Sequence, residues 1–279
     1  MSATLIQLAL EEDIGAGDLT ALYLIPEERK ARAFVIARRE GTLSGVNLAA
    51  EVFKMVDPEL DVEVKIKDGS RVAPGAMIIC VEGSARSIVT AERTALNFLQ
   101  RLSGVATCTA RYVEAVKGTQ ARILDTRKTT PGYRVLEKQA VLHGGGSNHR
   151  MGLFDRVMVK DNHLVVDGGP EVIQAAIHEL KAAHPNVEVE IEVDTLEQLR
   201  TFLDFEGVDH ILLDNMSIPD LRAAVEMRGD HTVPRLEASG GITLQGLREI
   251  ADTGVDYISV GAITHSAPAL DIGLDFTPV

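Results

Sequence analysis

The spacing of apolar and polar positions changes its rhythm as the chain proceeds. Residues 2 to 13 carry a helical rhythm that stops at Gly15 and Gly17. From Ala31 the pattern turns to strands: ARAFVIARRE, a turn at Gly41, then a helix around NLAAEVFKMV closed by Asp57-Pro58. DVEVKIKD alternates with period two, as a half-buried strand does. DGSRVAPGAMIICVEG sets apolar runs between paired Gly and Pro residues and predicts a β-hairpin. No lysine sits in an apolar setting at its tip, which argues against a lipoyl or biotinyl carrier. Residues 88 to 117 predict helices joined by a small-residue bend at Ser103-Gly104.

Beyond residue 117 a longer rhythm sets in. Short runs of Ile, Val and Leu end in a polar residue and give way to helical text: ARILDT, DRVMVKDN, VEVEIEVDT, DHILLDN, PRLEASGG and DYISVGA. Their ends, near Asp125, Lys160, Glu192, Asp214, Ser239 and Gly261, lie about 20 to 36 residues apart, the size of a βα unit. Continuous apolar runs are what parallel strands buried on both faces require. With another unit around residues 140 to 147, the pattern predicts an incomplete parallel β/α barrel of about seven strands. A doubly wound open sheet is the alternative, disfavoured because no G-x-G-x-x-G follows an early strand.

Composition narrows the function. The chain has 279 residues, 45% of them hydrophobic and 25% charged, the balance of a packed globular protein. Aromatic residues are 4% with no Trp, so the core is aliphatic and a base-stacking surface is not expected. No signal peptide or membrane span is legible, and Cys80 and Cys108 lack the spacing of a zinc site. The expectation is a soluble protein of the reducing cytoplasm, without membrane or nucleic-acid partners. Net charge is −13, yet between Glu92 and His163 twelve basic residues meet six acidic ones, so this segment carries +6 and the remainder −19. Positive charge gathered in one segment of an acidic chain fits a pocket for a small polyanion; solvated helix faces are the plainer alternative.

In a β/α barrel, reactive groups sit at the C-terminal ends of the strands. Those ends carry Asp125, Arg127 and Lys128, then Lys160 and Asp161, Glu192 and Asp194, Asp214 and Asn215, Ser239-Gly240-Gly241, and Gly261. EASGGI and SVGA suit a phosphate, because glycine lets backbone N–H groups approach closely; tight turns that need glycine only for geometry are the alternative. Glu192 and Asp214, on successive strands, suit a Mg²⁺ held partly by substrate oxygens and water, unless each caps a helix or pairs with Lys160. Glu190 shares the side of Glu192 and is the alternative ligand, further from the mouth. GGGSNHR ends a glycine loop in His149 and Arg150, and this His is a better candidate than His178 or His184 on a helix.

The same stretches carry a resemblance. EEDIGAGDLT, TAERTALNFLQRLSGVAT, ILDTRKTTPG, LEK, GGGSNHRMGL, VKDNH, EVDTLEQL, LLDN, EASGGI and YISVGAITHSAPALDIGLD run collinearly from residue 8 to about 275, and together they resemble the quinolinate phosphoribosyltransferases. His143 before the glycines and Ser147 within GGGSNHR depart from the family pattern without removing a charge. The resemblance implies an N-terminal α/β sandwich domain over residues 1–106, rejoined by residues from about 268 to 279. It implies an open α/β-barrel domain over residues 107–267. It implies that quinolinate and phosphoribosyl pyrophosphate react to nicotinate mononucleotide, pyrophosphate and CO2, with Mg²⁺ and no organic cofactor.

Carried over by position, the resemblance assigns Arg127, His149, Arg150 and Lys160 to the two carboxylates of quinolinate. Lys128 and Lys138 go to phosphate or pyrophosphate oxygens, and Glu192 and Asp214 to the ribose and its Mg²⁺. Ser239, Gly240, Gly241 and Gly261 go to the 5′-phosphate. Lys128, Lys160, Glu192 and Asp214 are the residues expected to act in the chemistry. Arg93 is implied to act from a neighbouring subunit, in a homodimer or a larger assembly of dimers. The rival readings are a related transferase taking a monocarboxylate such as nicotinate, a sugar-phosphate barrel lyase or isomerase, and a non-catalytic anion-binding protein.

Overall fold

The computed structural model describes residues 2–160 and 169–278. Contacts divide the chain into two compact units: residues 1–110, 136–145 and 267–279 in the first, and 111–135 and 146–266 in the second. The elements are, in order, α1 (Ser2–Ile14), α2 (Leu19–Leu24), β1 (Lys30–Ala37), β2 (Gly41–Thr42), α3 (Val46–Val56), β3 (Asp61–Val64), β4 (Arg71–Val72), β5 (Met77–Ser84) and α4 (Ala85–Ala115). There follow β6 (Arg122–Leu124), α5 (Arg134–His143), β7 (Arg156–Val159), α6 (Gly169–Ala183), β8 (Glu188–Val193), α7 (Leu196–Phe202) and β9 (His210–Asp214). The chain ends with α8 (Ile218–Arg228), β10 (Arg235–Ser239), α9 (Leu247–Ala251), β11 (Tyr257–Ser259), α10 (Ala262–His265) and β12 (Ile272–Pro278).

The first unit is built on an antiparallel sheet of order β12-β1-β5-β3. Alternation along β1 turns Ala33, Val35 and Ala37 into the core, and helix α3 packs Val46, Ala49 and Phe53 from one face. The last strand, β12, pairs along β1 from Ala31–Pro278 to Ala37–Ile272, so this C-terminal strand completes the unit's sheet.

Two local expectations fail here. The apolar runs of DGSRVAPGAMIICVEG do not pair with each other: β4 joins β2 in a separate pair, while β5 lies between β1 and β3. The Gly and Pro residues therefore mark a change of sheet. Ser103-Gly104 is no bend but lies inside the continuous 31-residue helix α4. Gly104 is needed for close packing, since a Cβ there would stand 2.2 Å from the Pro268 carbonyl oxygen, and Ser103 Oγ donates to the Ser44 carbonyl. Most of α5, counted with the barrel by sequence, packs with the first unit. Its Glu137 is wholly buried and takes two hydrogen bonds from Arg101, and Gly144 leaves no room for a Cβ against Ala106.

The second unit is a parallel sheet of six strands, in the order β6-β11-β10-β9-β8-β7. Ser147 forms an isolated parallel bridge to Leu124 on the open side of β6, a rudiment of the seventh strand. Sheet curvature is visible in the side chains. His149, just beyond this bridge, reaches Glu190 on β8 and Glu237 on β10, which a flat sheet of this order would hold strands away. Helix α7 is started by a capping box between Thr195 and Gln198, and α8 by the Ser217 side chain with Pro219 in its first turn, caps worth about 1 kcal/mol each.

Candidate active site

Local geometry fixes each cation at the barrel's C-terminal face. After β6 the chain turns through Gly132 at φ +78, and the Lys128 amide donates to Thr126 Oγ1 at 3.0 Å. Arg134 braces this loop from the start of α5: Nε donates to Thr129 Oγ1 at 3.0 Å and Nη1 to the Met151 carbonyl at 3.1 Å. On the other side, Thr264 Oγ1 donates to the Lys128 carbonyl at 2.8 Å. A Cβ on Gly261 would stand 3.1 Å from Lys128 Cδ, so this glycine leaves space for the lysine stem.

The glycine loop ends in two residues held from several directions. Buried Asp125 accepts the His149 amide at 2.8 Å, and His149 Nδ1 accepts the Arg150 amide at 2.7 Å. Asp155 then caps the next turn through the amides of Met151 and Gly152. The Arg150 guanidinium donates to the Arg156 carbonyl at 3.3 Å and reaches Met158 Sδ at 3.5 Å. Burial, then the neighbouring Arg127, pushes its pKa below the usual arginine value; an arginine remains a cation all the same.

Carboxylates face these cations. Lys160 Nζ donates to Glu192 Oε2 at 2.7 Å, so the pairing held open as an alternative is present. Asp214 Oδ2 accepts from Asn215 Nδ2 at 2.8 Å. Asn215 adopts φ +51, rare for a residue with a side chain, and its Oδ1 lies 2.2 Å from where a Gly240 Cβ would be. Gly240 and Gly241, at φ +94 and +58, turn the backbone of the EASGGI segment at this point.

Below this level the barrel interior is charged. Glu190 and Glu237 are wholly buried, and Arg156 pairs with Glu188 and stands 3.7 Å from Glu190. Burial and the charge of Glu190 push the Glu237 carboxyl well above the usual range, which favours its neutral form. Burial opposes ionisation of Glu190 too, but His149 and Arg156 together outweigh it and hold that carboxyl below its ordinary value.

These groups open on one cavity of about 650 Å³. Arg127, Lys128, Arg134, Arg150 and Lys160 line it together with Glu192, Asp214 and the Ser239-Gly240-Gly241 turn. Ten of the thirteen candidate residues are thereby assembled, His149 being the tenth. Gly261 touches Lys128 without lining the cavity. Lys138 is wholly buried on α5 in the first unit and is not among the residues lining the cavity, and Arg93 is exposed on α4 in that unit. Asp161, Asn162 and His163 of VKDNH lie outside the described residues. Sequence reasoning passed over Arg134, Ser259 and Glu237, which line the cavity, and gave Asn215 no role. Arg134 was within reach, being one of the twelve basic residues of the positive segment.

Known proteins match the chain along nearly its whole length. The model of the quinolinate phosphoribosyl transferase N-terminal domain matches residues 18–103, and that of the C-terminal domain residues 105–275. A chloroplastic nicotinate-nucleotide pyrophosphorylase [carboxylating] of Oryza sativa subsp. japonica is 44% identical over 96% of this chain and 76% of its own length. The Mycobacterium leprae protein of the same enzyme name is 42% identical over 97% of this chain and 95% of its own. Among solved structures, the nicotinate-nucleotide pyrophosphorylase from Francisella tularensis superposes with a TM-score of 0.91 at 39% identity, covering 99% of this chain and 96% of that one.

Proposed function

The chain belongs to the quinolinate phosphoribosyltransferase family, and from that membership we infer how its cavity carries the family's reaction. The enzyme transfers the phosphoribosyl group of phosphoribosyl pyrophosphate to quinolinate with loss of CO2, giving nicotinate mononucleotide and pyrophosphate for NAD biosynthesis. The observation that carries the assignment of roles is the gathering of five cations, three acidic side chains and a glycine turn around one cavity.

Quinolinate is a dianion on a flat ring. Arg127, Arg150 and Lys160 bind its two carboxylates, arginine through paired N–H donors and lysine as a compact charge. The chain's own anions must then be kept from competing: Glu192 engages the ribose, and burial beside Glu190 favours the neutral form of Glu237. The 5′-phosphate takes the backbone N–H groups of the Ser239-Gly240-Gly241 turn, beside Gly261 and Lys128. Lys128 stabilises charge that develops on departing pyrophosphate as C1 of the ribose turns oxocarbenium-like, with Lys138 assigned to the same phosphate oxygens. After transfer, the ring nitrogen bears a positive charge next to C2, which accepts the electron pair left by CO2 without an organic electron sink.

Mg²⁺ fits the donor set. Glu192 and Asp214 are hard oxygen ligands from adjacent strands on one cavity, and two carboxylates leave most positions to substrate oxygens and water, as Mg²⁺ prefers. When bound, the ion neutralises pyrophosphate charge. A homodimer, or an assembly of dimers, completes the reading, with Arg93 supplied from the partner. Leu19, Tyr23, Leu24, Leu153 and Phe154 are 70–83% exposed, apolar surface of the kind an interface covers. No helix among the described residues is long and apolar enough to cross a membrane. Cys80 and Cys108 are both thiols, in keeping with a reducing cytoplasm.

The test follows CO2 from quinolinate labelled in its 2-carboxylate. Release is expected only when phosphoribosyl pyrophosphate and Mg²⁺ are both present, with nicotinate inert as a substitute. Consumption of nicotinate in place of quinolinate would move the assignment to the monocarboxylate reading.

A further inference from the structure

Two glutamates on strands that are not neighbours converge on His149. Its Nε2 lies 3.0 Å from Glu190 Oε2 on β8 and 3.6 Å from Glu237 Oε1 on β10, and both glutamates are wholly buried. Barrel interiors at this depth are ordinarily filled by Val, Ile and Leu, and burying a carboxyl group is costly unless it is compensated. Such groups are retained where they orient something.

One alternative is a cation site, because donor atoms of His149, Glu190 and Glu237 all lie within 4.8 Å of one another. The histidine argues against it. Its Nδ1 accepts the Arg150 amide at 2.7 Å, so the proton of a neutral ring sits on Nε2, the nitrogen 3.0 Å from Glu190 Oε2. A metal would need the Nε2 lone pair, and a ligating histidine donates from its other nitrogen instead of accepting there. Arg156, 3.7 Å from Glu190, already supplies positive charge.

We infer that Glu190, with Glu237 behind it, is a positioning residue: it fixes His149 in the Nε2–H form, and His149 in turn holds the Arg150 backbone so that the guanidinium meets the dicarboxylate. His149 then links Glu190, 3.0 Å from its Nε2, to the Arg150 backbone amide on its Nδ1. Asp125 secures the same residue from behind, through the His149 amide at 2.8 Å. Glu237 stands too far for a strong bond from Nε2. Two anions this close in a dry interior repel, so it serves best as the neutral acid, and its raised pKa agrees.

This inference rests on the quinolinate reading, and its test separates the two. The histidine tautomer is read first, without substrate, by long-range ¹H–¹⁵N correlation on the whole protein labelled at histidine, with His149 assigned from a His149→Gln variant. A proton on Nε2 is expected; a proton on Nδ1 overturns the inference whatever the enzyme binds. Calorimetry then compares variants. Glu190→Gln keeps an acceptor and should bind quinolinate within about threefold of the parent, whereas Glu190→Leu should weaken it at least about tenfold, the usual range for a lost charge-assisted bond. Affinity for phosphoribosyl pyrophosphate should stay within about twofold in both. Parental quinolinate affinity in folded Glu190→Leu overturns the strut, as does tight one-to-one binding of Zn²⁺ alone that Glu190→Gln abolishes. Failure of the parent protein to bind quinolinate would count against the quinolinate reading instead and leave the tautomer result standing.

Discussion

Lys160 and Glu192 stand side by side at the barrel mouth, ammonium to carboxylate at 2.7 Å, so an incoming substrate carboxylate must compete with the protein's own. The pair is partly exposed, at 41% for the lysine and 13% for the glutamate, which keeps the exchange modest in energy. Lys160→Ala should weaken quinolinate by about tenfold or more, toward the low end of a lost charge-assisted bond. Glu192→Gln should leave quinolinate affinity equal or several-fold tighter, roughly the worth of a partly exposed ion pair, while turnover collapses. Calorimetry and steady-state rates on the two variants check this opposition; weaker quinolinate binding in Glu192→Gln would contradict it.

Arg150 carries a sharper expectation because it is buried. Arg150→Ala should cost about 1.5 to 3 kcal/mol of quinolinate affinity, and Arg150→Lys should recover only part, since one point charge replaces two parallel donors. Phosphoribosyl pyrophosphate should bind these variants as it does the parent. Equal losses for both substrates would mean that the whole cavity had been disturbed.

Adjacent glycines make a contrast at the phosphate turn. Gly240→Ala combines φ +94 with a Cβ 2.2 Å from Asn215 Oδ1, and would push Asn215 away from Asp214. Gly241→Ala meets nothing within 4 Å and bears only the strain of φ +58. The second change should cost about 1 kcal/mol of stability with little effect on binding, and the first more than that together with a large rise in KM for phosphoribosyl pyrophosphate. Thermal melts and kinetics of the pair decide it, and equal effects would remove Asn215 from the explanation.

How much of this was legible follows from the range of each interaction. Strand ends could be read because βα units repeat a local signal, an Ile/Val/Leu run stopped by a polar residue, and eight candidate residues at those ends do share a cavity, joined there by His149 and Arg150 of the glycine loop. The environments of Glu190 and Glu237 could not. Their partner His149 enters from a loop beyond β6, and only closure of the sheet brings the three together. Ser103-Gly104 misled for the same reason: small residues favour a bend locally, but here they admit the Pro268 backbone against α4, a contact across more than 160 residues. Asn215 looked like one more polar strand end, although its left-handed backbone was its distinguishing property.

Glu237 gives the chain a pH signature. Its folded pKa is raised, by burial first and Glu190 second, with Arg156 and Ser259 opposing. A raised folded pKa contributes stability that is present below the unfolded value and is lost as pH rises through the folded one. Glu237→Gln cannot ionise, so its melting temperature relative to the parent should climb from the ordinary glutamate range upward. Glu190, with a lowered pKa, has the opposite sign and contributes stability that is lost on acidification. Melting curves of both proteins from pH 4 to 9 (a window of about five units around the ordinary glutamate and histidine values) provide the check. A constant difference would mean that folding does not raise the Glu237 pKa.

The proposed assembly predicts complementation. Arg93 is exposed on α4 in the first unit, while the cavity is lined from the second, and the family relationship motivates its acting on a partner's cavity. Arg93→Ala and Lys160→Ala should each be nearly inactive alone. Mixed in equal amounts and allowed to exchange subunits, about half the dimers should be mixed by random assortment. Each mixed dimer then has one site with both changes and one with neither, the intact site combining Arg93 of one chain with Lys160 of the other. Activity should therefore rise toward about a quarter of the parental value per total site, given independent sites. Exchange can be verified separately by native mass spectrometry of differently tagged chains. If mixed dimers form and activity stays at the level of the single variants, Arg93 serves its own chain or no site at all.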